Sequence, residues 1–116
     1  WIDDEAQMDA VTAISGSGPG YVFYLMEALA DAAAELGFTP EVARLLAVET
    51  FLGAARLAQS STEPLSLLRE RVTSKGGTTA AALQSFDEAG LREIIARGAR
   101  AATARGRELG DEMGRD

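Results

Sequence analysis

The chain has 116 residues, one domain's worth and enough to bury a core, with an ordinary balance of 47% apolar and 25% charged residues. It has no cysteine and no histidine, which excludes disulfides, thiolate metal sites, cysteine nucleophiles, serine–histidine triads and most zinc sites. A net charge of −7 argues against nucleic acid as a partner, and no metal is expected. No apolar run reaches membrane-spanning length and no signal-peptide pattern is present, so the expectation is a cytoplasmic protein without a membrane partner. Any chemistry falls to carboxylates, hydroxyls, Lys75, the arginines, the two tyrosines or the backbone. The charge is uneven: residues 1–58 hold two arginines against nine acids, whereas residues 59–116 hold nine bases against nine acids. The start at Trp1-Ile2-Asp3-Asp4-Glu5 suggests a piece of a longer protein, with a trimmed tag or leader as the alternative.

In chain order, Ala6 to Ile14 reads as a short helix ending at Ser15-Gly16-Ser17-Gly18. Pro19 suits the first turn of the next helix, where its missing N–H has no partner to lose. That helix runs to Leu36 on the spacing of Val22, Leu25, Met26, Leu29, Ala33 and Leu36, and Gly37 stops it. Phe23 and Ala30 widen its apolar face, and Glu27, Asp31 and Glu35 form a solvated acidic edge. Thr39-Pro40-Glu41 starts another helix with a hydroxyl cap, a proline and an acid at the positive dipole end. Val42, Leu45, Leu46, Val48, Phe51, Leu52, Ala55 and Leu57 make it apolar on most sides. Glu49 within this run is expected to be partly exposed or paired, and Gly53-Ala54-Ala55 leaves one face flat enough for another backbone to approach.

Ser60 to Pro64 is a loop and cap cluster, followed by a short helix that ends near Thr73. After the glycines at 76 and 77, Thr79 to about Glu88 reads as helix, broken at Ala89-Gly90. The last helix, Leu91 to Leu109, carries an apolar face of Leu91, Ile94, Ile95, Gly98, Ala99 and Ala102. Its other face is basic, with Arg92, Arg97, Arg100, Arg105 and Arg107, and Glu93 is placed to pair with Arg97 at i,i+4. Residues 110–116 read as a frayed polar tail. The expectation is a single all-α domain over residues 1–116, a bundle of about six helices. Its two central helices are apolar on nearly all sides, which calls for burial all round. So short a chain has few helices to cover them, and an obligate, intertwined homodimer is the simplest closed solution.

Two glycine clusters are candidate ligand sites. Gly16-Ser17-Gly18-Pro19-Gly20 fails the dinucleotide pattern G-x-G-x-x-G, because position 21 is tyrosine and no strand precedes it. No Walker pattern is present either. Ser74-Lys75-Gly76-Gly77-Thr78-Thr79 leads directly into a helix, so consecutive amides without bulky side chains can form a concave nest. The helix start adds free donors and a positive dipole end, Lys75 adds charge, and Ser74, Thr78 and Thr79 add hydroxyls. A carboxylate or phosphate is the natural ligand. The same residues also fit a plain tight turn with Thr78 or Thr79 as an N-cap, and physics alone leaves both readings open.

The run from Pro64 to Asp87, with Val72-Thr73-Ser74-Lys75-Gly76-Gly77-Thr78-Thr79 at its centre, closely resembles the signature region of the pyrroline-5-carboxylate reductase family. So does Asp9-Ala10-Val11-Thr12-Ala13-Ile14-Ser15-Gly16-Ser17-Gly18-Pro19, continuing through Tyr21, and Arg107-Glu108-Leu109-Gly110 is similar to the family's C-terminus. The resemblance covers about Ile2 to Gly110. It departs where Lys75 replaces a frequent proline and Gly20 a usual alanine. Such enzymes reduce 1-pyrroline-5-carboxylate to proline with NADPH or NADH. They join an N-terminal Rossmann domain to a C-terminal helical dimerisation and substrate domain, like that of 6-phosphogluconate-dehydrogenase-like two-domain reductases.

The resemblance therefore implies that this chain is the second domain, inactive and without bound cofactor on its own. It implies a homodimer through the long helices, in a family whose dimers often assemble further into decamers, with each site between one subunit's Rossmann domain and its partner's glycine loop. It further implies that amides around Ser74 to Thr78 hold the substrate carboxylate and that Thr79 hydrogen-bonds the imine nitrogen. Two other readings stand beside it: a non-catalytic helical oligomerisation module, and the helical domain of a related dehydrogenase acting on another small carboxylate.

Overall fold

A computed structural model describes residues 4–114, and expectations that fall on Trp1 to Asp3 or on Arg115 and Asp116 lie outside the described residues. The described residues form no strand. They form six α-helices, α1 (Glu5–Val11), α2 (Gly18–Glu35), α3 (Pro40–Ser60), α4 (Leu65–Arg71), α5 (Thr78–Glu88) and α6 (Leu91–Gly114), with a π-helical turn, Thr12–Gly16, between α1 and α2. The all-α expectation and the helix count hold. The chain divides into two compact units: the chain up to Tyr21 together with the chain from Phe86, and Val22–Ser85.

In the first unit, Asp4 caps α1 by accepting from the Gln7 amide at 2.9 Å. The helix does not stop at Ile14 as expected. It widens into the π turn, in which the Ser17 amide reaches back five residues to the Thr12 carbonyl at 2.9 Å. The cause lies in the next residues. Pro19 has no N–H for the Ser15 carbonyl, and the amides of Gly20 and Tyr21 both turn to the Ser17 carbonyl. The Ala13 carbonyl is satisfied instead by the Tyr21 hydroxyl, which donates to it at 2.6 Å, and Ala13 itself is buried.

Helix α6 packs against α1 and the π turn. Its half-buried positions are Leu91, Ala96, Ala99, Ala102, Thr103 and Gly106, so beyond its first residue they are all small. This corrects the expected apolar face in part: Leu91, Ala99 and Ala102 are half-buried, but Gly98 is exposed and Ile94 and Ile95 stay about half exposed. Glu93 pairs not with Arg97 but with Arg100, two turns away on the same face, at 2.6 Å. The expected tail is helical as far as Gly114.

The second unit opens along α2. This helix ends in a Schellman arrangement: Phe38 N–H donates to the Ala33 carbonyl at 3.2 Å and Gly37 N–H to the Ala34 carbonyl at 3.0 Å, with Gly37 at φ +107°. Helix α3 starts as its sequence dictates, with Pro40 in its first turn and the Thr39 hydroxyl accepting from the Val42 amide at 3.3 Å. The buried residues of this unit are Ala43 and Ala47, one turn apart on α3. Phe23, Tyr24, Leu45 and Leu57 are each more than half exposed, Glu49 is exposed, and no atom stands within 4 Å of a Cβ built on Gly53. Among the described residues no large side chain of either unit is fully buried.

Tyr21→Phe removes the hydroxyl and leaves the buried Ala13 carbonyl without a partner. The substitution is expected to lower stability by about 1–3 kcal/mol, read from the urea midpoint. An unchanged midpoint would show that the hydroxyl does not hold the π turn.

Candidate functional site

The loop between α4 and α5 is built from both ends. At the end of α4, the Val72 amide donates to the Arg69 carbonyl and the Thr73 amide to the Glu70 carbonyl, while the Thr73 hydroxyl donates to the Arg69 carbonyl at 2.6 Å. A tight turn follows, closed by the Gly77 amide on the Ser74 carbonyl at 3.0 Å. Its third residue, Gly76, has φ +73°, a left-handed value that glycine adopts without the Cβ clash other residues meet. Gly77 is fixed for a different reason: a Cβ there would stand 3.2 Å from the Ser74 carbonyl oxygen. Each glycine of the pair therefore has its own steric cause.

Helix α5 begins at Thr78, and its first backbone bond runs from the Ala81 amide to the Gly77 carbonyl at 3.1 Å. The amides of Thr78, Thr79 and Ala80 have no acceptor among the described residues, nor have those of Lys75 and Gly76. Neither Thr78 nor Thr79 caps the helix with its side chain, and α5 has no acid in its first turn. The hydroxyls of Ser74, Thr78 and Thr79 and the ammonium of Lys75 likewise meet no partner among the described residues. Ser74, Lys75, Gly76 and Thr78 are exposed, and Gly77 and Thr79 half-buried. All six expected residues thus share one short turn. The segment offers a run of donors with no acidic side chain among them, at the positive end of a helix, which suits an anion. The capping role open to Thr78 and Thr79 is not the one they take.

The first glycine cluster is different. Within Gly16 to Tyr21, the amides of Ser17, Gly20 and Tyr21 are used inside the turn and Pro19 has none. These residues do not fit a nicotinamide dinucleotide, which needs free amides around its pyrophosphate. Elsewhere in the first unit, a groove of about 420 Å³ is lined by Ala10, Ile14, Ala99, Arg100, Thr103, Ala104 and Arg107, and it contains none of the loop residues. Among the described residues, no group of carboxylates is arranged to hold a metal ion. No described helix is long and apolar enough to cross a membrane.

Sequence reading missed one link that bears on the loop. The Arg71 guanidinium donates to the Glu63 carboxylate at 2.9 Å, spanning the whole of α4. Its separation of eight residues is not a helix-neighbour spacing, and Pro64 lies between them, so no periodic signal marks it.

A helical fold with a run of free donors at a helix start is suited to hold a small anion. The chain belongs to the pyrroline-5-carboxylate reductase dimerisation family, whose model matches residues 5–109. It is 49% identical over 114 residues to the pyrroline-5-carboxylate reductase of Pseudomonas aeruginosa, covering 98% of this chain and 42% of that protein. Among solved structures, it resembles a pyrroline-5-carboxylate reductase from Coxiella burnetii (TM-score 0.89, 45% identity, 94% of this chain and 40% of that one). It also resembles the Plasmodium falciparum enzyme, solved with NADP bound (TM-score 0.87, 31% identity, 93% of this chain and 41% of that one). The chain thus spans about two fifths of the length of these relatives.

Gly77→Ala forces the Ser74 carbonyl to move, and Gly76→Ala strains the turn. Losses of about 1–3 and about 1–2 kcal/mol are expected in urea denaturation. Gly110→Ala, in open space within α6, is the control and is expected to be neutral or stabilising by up to about 1 kcal/mol. Equal effects at all three positions would contradict the steric account of the loop.

Proposed function

We propose that this chain is the dimerisation and substrate-binding part of an enzyme that reduces 1-pyrroline-5-carboxylate to L-proline with NADPH or NADH. The observation that carries the proposal is the donor-only turn at Ser74 to Thr79, in a chain of this family. The substrate has a carboxylate and a cyclic imine. The free amides of Lys75, Gly76 and Thr78, helped by the Ser74 hydroxyl and the Lys75 charge, bind the carboxylate. The Thr79 side chain hydrogen-bonds the imine nitrogen and sets the ring's orientation. The proton needed at nitrogen comes through water or the threonine hydroxyl, or the imine binds already protonated, since the chain has no histidine. The loop's contribution is positioning, the larger part of what a protein supplies when a cofactor carries the chemistry. The hydride donor is held outside these residues, in keeping with the closed amides of the first glycine cluster.

The same proposal makes the protein a homodimer through α2 and α3. It rests on the exposed apolar side chains of these helices, Phe23, Tyr24, Leu45 and Leu57 among them. By family resemblance the full-length enzyme is cytoplasmic and assembles as a decamer of five dimers.

In the full-length enzyme, Thr79→Ala should lower kcat/KM by about ten- to a hundredfold, the weight of one hydrogen bond to a group that is or becomes charged. Thr79→Ser, which keeps the hydroxyl, should retain most of the activity. Steady-state kinetics unchanged by Thr79→Ala would remove Thr79 from the mechanism.

A further inference from the structure

Helix α4 leads into the proposed site, and little in its own sequence holds it. It has seven residues, near the limit where an isolated helix does not persist. Its N-cap is Pro64, which gives no side-chain cap, and none of its residues is fully buried. What it has is a series of links across and beyond it. The Glu63 amide donates to the Ser61 hydroxyl at 3.1 Å, the Arg71 guanidinium donates to the Glu63 carboxylate at 2.9 Å, and Thr73 closes the helix end on the Arg69 and Glu70 carbonyls. The next residue, Ser74, carries the carbonyl that receives the Gly77 amide. The one charged link in this series is Glu63–Arg71. Its signs suit the helix, with the acid at the positive end of α4 and the base at the negative end.

We infer that Glu63 and Arg71 are positioning residues for the proposed anion-binding loop: their ion pair straps the two ends of α4 together and so sets where Ser74 begins the turn. The inference rests on the reading of Ser74 to Thr79 as the carboxylate site. The pair touches no substrate. It acts by holding the last turn of α4, from which only Val72 and Thr73 separate it from Ser74. With the strap released, the end of α4 frays, the turn samples more positions, and the anion meets its donors less often. The effect falls on binding rather than on the chemical step.

The test is a double-mutant cycle in the full-length protein that carries this chain, with pyrroline-5-carboxylate as substrate. Glu63→Gln and Arg71→Gln should each raise KM by roughly two- to fivefold, the range an exposed ion pair supports, with kcat little changed. The double variant should be no worse than either single one. The difference from the wild type should shrink at high ionic strength, where the pair is screened. Circular dichroism melts confirm that the variants fold. Wild-type KM in folded single variants, or an additive loss in the double, would overturn the inference. Thr79→Ala in the same assay separates the two levels. If it lowers kcat/KM while the Glu63 and Arg71 variants do nothing, the strap alone is wrong. If it has no effect either, the site on which the strap depends is wrong as well.

Discussion

Apolar side chains along α2 and α3 stay in contact with solvent because this chain has nowhere to put them. Among the described residues the fully buried positions are three alanines, Ala13, Ala43 and Ala47. Three alanines do not offset the conformational entropy of ordering more than a hundred residues. The exposed apolar faces of the long helices and the open Gly53 make sense if their partners lie on a second copy. That need for a partner governs the account. A helix apolar on most sides is stable only inside something, and a homodimer supplies it by symmetry.

The glycine turn follows a parallel logic on a smaller scale. Apart from the Gly77 amide that closes it, its amides and hydroxyls are unmet among the described residues, just as the apolar faces are. A helix start with no cap and no acid is incomplete in the way a ligand site is, since each free donor waits for an acceptor. The π turn shows the opposite choice. There the chain also breaks its regular ladder, at Pro19, but the amides of Ser17, Gly20 and Tyr21 are taken up within the turn and the Tyr21 hydroxyl satisfies the Ala13 carbonyl. Two glycine clusters of similar composition thus end in different chemistry, and the difference lies in where the amides point.

Much of this was legible in the residues. Thr39-Pro40, Gly37 and Gly90 mark helix ends through capping, left-handed backbone and missing N–H groups, all of them local effects. The six residues of the loop stood out as a candidate because a glycine pair among hydroxyls before a helix fits an anion nest as well as a tight turn, and the family resemblance favoured the nest. What stayed hidden depends on contacts distant in sequence. The π turn needs Tyr21 to reach back eight residues to Ala13, and the α6 contact is set by which stripe meets α1, where small residues fit and Ile94 and Ile95 do not. Glu93 has Arg97 and Arg100 both within reach, and spacing rules favour the nearer one, but the rotamers settle on Arg100. Glu63 and Arg71 lie across a proline, where helix periodicity says nothing.

The most direct test is the mass of this chain in solution, by light scattering or sedimentation over a wide concentration range. The account predicts twice the 12.2 kDa chain mass, with unfolding and dissociation occurring together and a midpoint that rises with concentration. A monomer of 12.2 kDa that keeps its helices and melts cooperatively would contradict it, because such a chain would be stable with three alanines as the buried core among its described residues.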